Sequence, residues 1–328
     1  MSAFSLKRRR LLQASALVPA ASSNDARADW PERPIRIVVP FAPGAGTDSM
    51  GRLLAQKLAD TLSSPCIVEN RSGAAGAIGT QHVAQSPADG HTLLLIAAPF
   101  TTVAAVLNRP PYDPIRDFTP ISLIAQGPLL WAARRDLPVN SLGDLMAMAR
   151  QRPGELNYGS AGTGGINHLA LELLKARAGV HITHVAYRGV APAALDMIAG
   201  HIDLITGTIP ALAPFARDGR IKPLAVSSAA RCAALPDIPG MRESGFGDIE
   251  VLNYFGLVAP AATPALPIGR LNRALEQALA LPEISLRFRS DALEIARLGP
   301  SALAAFLAAD HARWRQLADQ QGLRTDAL

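Results

Sequence analysis

Two glycine-rich turns hold the residues with most capacity for chemistry. The first is Phe41-Ala42-Pro43-Gly44-Ala45-Gly46-Thr47-Asp48; the second is Ser160-Ala161-Gly162-Thr163-Gly164-Gly165-Ile166-Asn167-His168. Each follows a strand-like run and leads into a helix-like one. The glycines free backbone N–H groups at the start of the helix. Those groups have no intrahelical partner, and the macrodipole is positive there. Such turns hold an anion. One turn in each half of the chain predicts a carboxylate gripped in a cleft between two lobes.

Other chemistries fit less well. Gly44-Ala45-Gly46 between a strand and a helix, with Glu69 ending the next strand, resembles a dinucleotide fingerprint. Ser49 stands where that fingerprint has its last glycine, and Asp48 would set a carboxylate beside a pyrophosphate. Ser160 with Gly162 suggests a nucleophile elbow, but Tyr158 occupies the position of the earlier glycine. Ser160 with His168, eight residues on, defines the enzyme alternative, an exported hydrolase. His181 and His184 lie three apart in a strand-like run, so they face opposite ways and predict no metal site. No carboxylate pair suited to glycoside chemistry stands out. A third turn, Glu69 to Gly79, is open to a structural or a ligand role.

The elements that must position these turns alternate in type. Strands are expected at 35–39, 66–69 and 92–96, and helices at 49–62 and 77–85. Such alternation implies a parallel sheet with helices on both faces. Two strands, 121–125 and 129–133, lead toward a second lobe. There Ser141 to Asp144 opens a helix with a capping-box pattern. A strand at 156–159, the second turn, a helix at 167–178, a strand at 184–187, a helix at 192–199 and a strand at 202–206 follow. Strands at 223–226 and 251–258 return toward the first lobe. Helices at 268–280, 282–289 and 301–321 close the chain. In the last, Leu303, Phe306, Leu307, Trp314 and Leu317 fall on one face.

The 328 residues are 49% hydrophobic, enough for two lobes with substantial cores. The formal charge of +5 is concentrated at the N-terminus, where five basic residues face Asp25 within residues 1–28. The remainder is nearly neutral and has no basic stripe suited to nucleic acid. Lys7 to Arg10, the apolar stretch 11–21 and Ala26-Arg27-Ala28 form an export signal, with cleavage expected near Ala28. Arg8 to Leu12 also resembles a twin-arginine signal. No run approaches the length of a membrane span, about 18 apolar residues. Two cysteines, Cys66 and Cys232, at unrelated positions make a weak case for a bridge.

Several segments together resemble the Bug-type periplasmic solute-binding receptors of tripartite tricarboxylate transporters. They include Val39-Pro40-Phe41 with Pro43-Gly44 and Gly46-Thr47-Asp48, and Val68-Glu69-Asn70-Arg71. Asp89-Gly90-His91-Thr92-Leu93, Pro111-Tyr112-Asp113-Pro114, Ser160 to Gly164, Tyr187-Arg188-Gly189 and Phe255-Gly256-Leu257 add to the match. The resemblance implies an α/β, two-lobed periplasmic binding protein of type II-like architecture. Each lobe would be a mainly parallel sheet flanked by helices, with the ligand cleft between them. Lobe 1 would take residues 29–131 and 252–328, and lobe 2 residues 132–251. Ligand contacts would come from Phe41, Gly44, Ala45, Gly46, Thr47 and Asp48 in one lobe and from Ser160, Gly162, Thr163, Gly165 and His168 in the other. Pro99, Thr101 and Thr208 would line the variable part of the pocket. The resemblance further implies a small carboxylate ligand, membrane-embedded transporter subunits or a sensor as partner, a periplasmic monomer, and no cofactor, metal, nucleic acid or enzymatic step. Gly207 stands where an acidic residue is common, which favours a plain mono- or dicarboxylate over an acidic amino acid.

Overall fold

The structure, a computed structural model, describes residues 30–44 and 46–327. The export signal expected over 1–28 and Ala45 of the first turn lie outside these residues. The first half contains β1 (Ile35–Val39), α1 (Gly46–Leu62), β2 (Cys66–Asn70), α2 (Ala77–Ala84), β3 (Thr92–Ala97), α3 (Pro99–Val106) and β4 (Phe118–Arg134). Next come α4 (Leu142–Gln151), β5 (Asn157–Ser160), α5 (Ile166–Ala178), β6 (Thr183–Ala186), α6 (Val190–Ile198), β7 (Leu204–Thr208), α7 (Ile209–Arg217) and β8 (Ile221–Val226). The chain ends with β9 (Leu252–Pro260), α8 (Ala265–Leu279), α9 (Pro282–Ser290), β10 (Glu294–Leu298) and α10 (Pro300–Gln320).

The strand order is β2-β1-β3-β9-β4-β7-β5-β6, with β8 and β10 also paired to β4. β2, β1 and β3 are parallel, as are β6, β5 and β7. Antiparallel β9 and β4 complete the sheet between these two parallel sets. The strand pair expected at 121–125 and 129–133 is a single 17-residue strand. Gly127-Pro128 stays extended because Asn253 and Leu252 of β9 pair opposite it.

The register brings the important ends together. Ala97, the last residue of β3, lies opposite Phe255, and Asn253 lies opposite Gly127. From the other side, Thr208, the last residue of β7, lies opposite Leu129. β5 runs parallel to β7 with Gly159 beside Ile205. The C-terminal ends of both parallel sets therefore point at one seam, residues 126–129 of β4. The segments that follow β1 and β7 meet there, beside Gly127 and Pro128.

Packing differs on the two faces of the sheet. On one face a single core crosses the seam, running from Val103 of α3 and Trp314 of α10 to Leu145 of α4 and Leu169 of α5. Leu303, Leu307, Trp314 and Leu317 bury their stripe there as the helical period requires, and Phe306 is partly buried beside them. On the other face there are two cores. One unites α1, α8 and α9 over the first half, and the other unites α6 and α7 over the second. Helix α4 is capped as expected, with the Ser141 hydroxyl accepting from the Asp144 N–H at 3.0 Å.

A buried hydroxyl locks the seam. Ser227 Oγ accepts from the Leu129 N–H at 2.7 Å and donates to the Val251 carbonyl at 2.5 Å. Among the described residues no helix is long and apolar enough to cross a membrane. Cys66 and Cys232 are both free thiols.

Gly127 has no room for a side chain, since a Cβ there would sit 2.4 Å from the Ala292 carbonyl oxygen. Gly127→Val should therefore prise β10 from β4 and destabilise the fold by about 2 kcal/mol. Urea unfolding of variant and wild type checks this, and equal midpoints would contradict it.

Candidate functional site

The first turn is held by one carboxylate. Asp48, in the first turn of α1, is 4% exposed. Its Oδ2 accepts from the Gly44 N–H at 2.9 Å and from Arg52 Nε at 3.0 Å. Its Oδ1 accepts from Asn70 Nδ2 at 2.8 Å, and the same amide donates to the Phe41 carbonyl at 3.1 Å. The Gly44 N–H, with Arg52 and Asn70, holds the Asp48 carboxyl down at about 2. The carboxylate thus faces the turn's own backbone, and its charge is matched by Arg52. Helix α1 begins at Gly46, three residues before the expected start, so Gly46 and Ser49 both belong to its first turn.

The second turn is held by a stack of rings. His168 lies 4.1 Å from His184, and His184 lies 4.9 Å from Tyr158, centroid to centroid. The Gly164 N–H donates to His168 Nδ1 at 3.2 Å. The Tyr158 hydroxyl donates to Glu172, which also accepts from Lys175 Nζ at 2.5 Å. Burial pushes His168 down to about 3 and His184 down to about 4, so both rings are neutral near pH 7. The hydrolase alternative required Ser160 to meet His168. Instead Ser160 Oγ is 2.7 Å from His184 Nε2, and it also donates to the Gly162 carbonyl at 3.1 Å. An imidazole held at about 4 is a weak general base.

A cavity of ≈ 480 Å³ opens at the seam, between the two separate cores. Gly44, Gly46 and Ser49 line it from the start of α1, and Thr208 to Ala211 from the start of α7. Gly127 and Pro128 line it from the crossover, Asn253 and Phe255 from β9, and Arg287, Phe288 and Asp291 from the end of α9. Of the residues singled out in the sequence, Gly44, Gly46 and Thr208 meet here. Phe41 and Pro99 border a much smaller void of ≈ 10 Å³. Thr101 is fully buried and turns its hydroxyl to Asp310 at 2.6 Å and Tyr254 at 2.8 Å. Ser160 and His168 are buried within the second turn, while Gly162, Thr163 and Gly165 are half-buried there. Thr47 is half-buried in α1, and Ala45 lies outside the described residues.

Sequence reasoning missed Ser49, Asn253 and Arg287. Ser49 carried a signal, since it opens the helix after the first turn. Arg287 carried none, because its place in the cavity depends on how α9 packs. Gly207 has a reason of its own: a Cβ there would lie 2.8 Å from Val190 Cγ1 and 3.0 Å from Leu212 Cδ1. The position faces the packing of α6 and α7, so Thr208 is the residue of this strand end that lines the cavity. Among the described residues no group of acidic, histidine and cysteine side chains suits a metal ion.

The Asp48 brace has a pH signature. Its folded value of about 2 lies below the ordinary 3.8, so the stability it confers is full above 3.8 and is lost as pH falls through about 2. Asp48→Asn should cost about 2 kcal/mol at pH 7, and the deficit should shrink to roughly half at pH 3. Paired urea titrations at the two pH values measure this. A deficit independent of pH would show that the charge does not hold the turn.

The family model for the tripartite tricarboxylate transporter family receptor matches residues 50–323. BugT of Bordetella pertussis is 33% identical over 297 residues, covering 90% of this chain and 91% of BugT. An R. palustris protein solved with adipate is 36% identical with a TM-score of 0.81, covering 90% of this chain and 99% of that one. MatC of Rhodopseudomonas palustris, solved with bound malate, is 30% identical with a TM-score of 0.78, covering 88% and 99%. The two-lobed periplasmic-binding-protein fold agrees with these relatives. This chain belongs to the tripartite tricarboxylate transporter receptor family, whose Bug-type members are periplasmic solute-binding proteins.

Proposed function

We propose that this receptor captures a small carboxylate by closing two lobes over the cavity at the β4 seam, then presents it to the membrane-embedded subunits of a tripartite tricarboxylate-type transporter. The observation that carries this reading is the convergence of the β1 and β7 strand ends, each followed by a helix N-terminus, on one cavity. In open α/β sheets, ligands bind in the crevice beyond the carboxyl ends of the strands. Adipate and malate in the solved relatives support the ligand class.

The moving bodies are residues 29–131 with 252–328, and residues 132–251. The hinge is the middle of β4 and the return segment through Ser227 and Val251. Gly46 and Thr47, at the start of α1, offer backbone amides from the first body beside Gly44, and Thr208 lines the facing wall. Ser160, Gly162, Thr163, Gly165 and His168 approach as the second turn swings in. Asp48, Phe41, Pro99 and Thr101 hold the turns in place. The ligand favours the closed form through contacts made only there. Charge-assisted hydrogen bonds contribute about 1.5–3 kcal/mol each. Three or four of them reach micromolar affinity, about 8 kcal/mol, after ordering is subtracted.

Such capture needs no covalent step and no cofactor, and one copy of the chain suffices. Residues 1–28 direct export, and the working protein resides in the periplasm. The absence of an acid at position 207 favours a plain mono- or dicarboxylate.

At Gly46 an added Cβ meets no atom within 4 Å. Gly46→Leu should fold with an unchanged thermal midpoint and lose at least about 1.4 kcal/mol of carboxylate affinity, tenfold in Kd. Calorimetric titration with malate and adipate tests this. Undiminished binding by a folded variant would take the cavity out of the ligand's path. Failure of the wild type to bind any carboxylate would defeat the reading as a whole, and tight binding of aspartate or glutamate would replace the ligand class.

A further inference from the structure

We infer that Ala292, at the corner between α9 and β10, is a positioning residue for capture: it props the second half of the molecule away from closure until a ligand fills the cavity. This rests on the closing-receptor reading and adds the contact that sets how readily the lobes shut. The corner belongs to the first half by both of its arms. Before it, Ile284 and Phe288 of α9 are buried in the core shared with α1 and α8, and after it Leu293 packs against the same core. Glu294 and Ile295 of β10 then pair with Gln126 and Ala125 in the first half of β4. Between these arms Ala292 reaches over the seam. Its carbonyl oxygen lies so near Gly127 that a Cβ there would be 2.4 Å away. Its half-buried side chain packs on the other core of that face, the one that unites α6 and α7.

The backbone of the corner makes this contact informative. The Leu293 N–H donates to the Phe288 carbonyl at 2.8 Å, and the Ala292 N–H to the Arg289 carbonyl at 3.1 Å. That pair of bonds ends a helix on one left-handed residue, a position that favours glycine because a Cβ is strained there. Ala292 holds φ at +57° nonetheless. Arg287 and Asp291 form an ion pair at 2.9 Å that braces the turn just before it. Ala262, after β9, is also left-handed at φ +63°, but it is exposed. The methyl of Ala262 meets solvent, whereas that of Ala292 meets the core of the opposite half. Strain kept where a side chain bridges two bodies points to a conformational role. Asp291 and Leu293, on either side of Ala292, line the cavity opposite Pro210 and Ala211 of α7. A rotation that narrows the cavity moves α7 against the corner, so the Ala292 contact must slide or break. The contact therefore favours the unclosed conformation, and a ligand must overcome it.

The test titrates wild type, Ala292→Gly and Ala262→Gly with adipate and malate by calorimetry, and records small-angle X-ray scattering of each with and without ligand. Removing one half-buried methyl contact from the unliganded form should tighten binding to Ala292→Gly by roughly two- to fourfold. The radius of gyration of unliganded Ala292→Gly should shift toward that of the liganded wild type. Ala262→Gly relieves the same backbone strain away from the opposite half's core, so it should raise the thermal midpoint and leave affinity and scattering as in the wild type. Unchanged or weaker binding by folded Ala292→Gly, or an equal gain in Ala262→Gly, overturns the prop while leaving carboxylate capture standing. A wild type that binds neither acid and scatters identically with and without them removes capture itself, and the prop with it. Thermal midpoints of all three proteins separate these outcomes from misfolding.

Discussion

Every N–H and C=O of a buried strand needs a partner on each edge, and β4 meets that demand by serving two sheets. Its first half pairs with β9 and β10, and its second half with β7 and β8. Among the described residues no other strand pairs in both halves of the molecule in this way. The position of the seam follows from this division, because the edge partners change at residues 126–129. Once β4 is fixed, the strand ends on either side are fixed in register. The start of α1, after the first glycine-rich turn, and the start of α7 then reach the same cavity.

The two turns reach their shapes by different means. In the first, a single ionised carboxylate gathers backbone, arginine and amide donors. In the second, neutral rings are stacked and the charges, Glu172 and Lys175, pair behind them. The first device leaves the start of α1 facing the cavity with its backbone amides directed outward. The second keeps a serine and two imidazoles uncharged beside the seam. In both, the carboxylate nearest the helix start is paired with a cation, Asp48 with Arg52 and Glu172 with Lys175.

Much of the frame was legible in the sequence. β1, β3 and α5 lie within two residues of expectation because their apolar runs are bounded by glycine or proline. Helix α3 was missed: Thr101, Thr102 and Val103 favour extension locally, but Pro99 starts the helix and nearly every side chain is buried. Helix α7 was hidden by Pro210 and Pro214, and β10 by its charged, half-exposed pattern. β4 is one strand rather than the expected two because β9 pairs continuously across Gly127 and Pro128. At the site, the backbone-rich turns were legible because glycine spacing encodes them locally. Asn253 and Arg287 were not, since they reach the cavity only through the return of β9 and the packing of α9. Ser160 was found, but its partner was taken to be the histidine nearer in sequence, His168. Strand pairing instead brings His184 beside it.

The Ser227 hydroxyl sits between two chain segments at the seam, β4 and the approach to β9. It ties Leu129 of one to Val251 of the other, so neither segment can twist alone. Together with the core that runs unbroken across one face, this makes the halves poor candidates for independent existence. A fragment cut near residue 131 would inherit a strand with half its ladder missing and an apolar flank with nothing to cover it. Bending about the seam is compatible with that shared core on one face, but dissection into separate pieces would destroy the machine rather than isolate its parts.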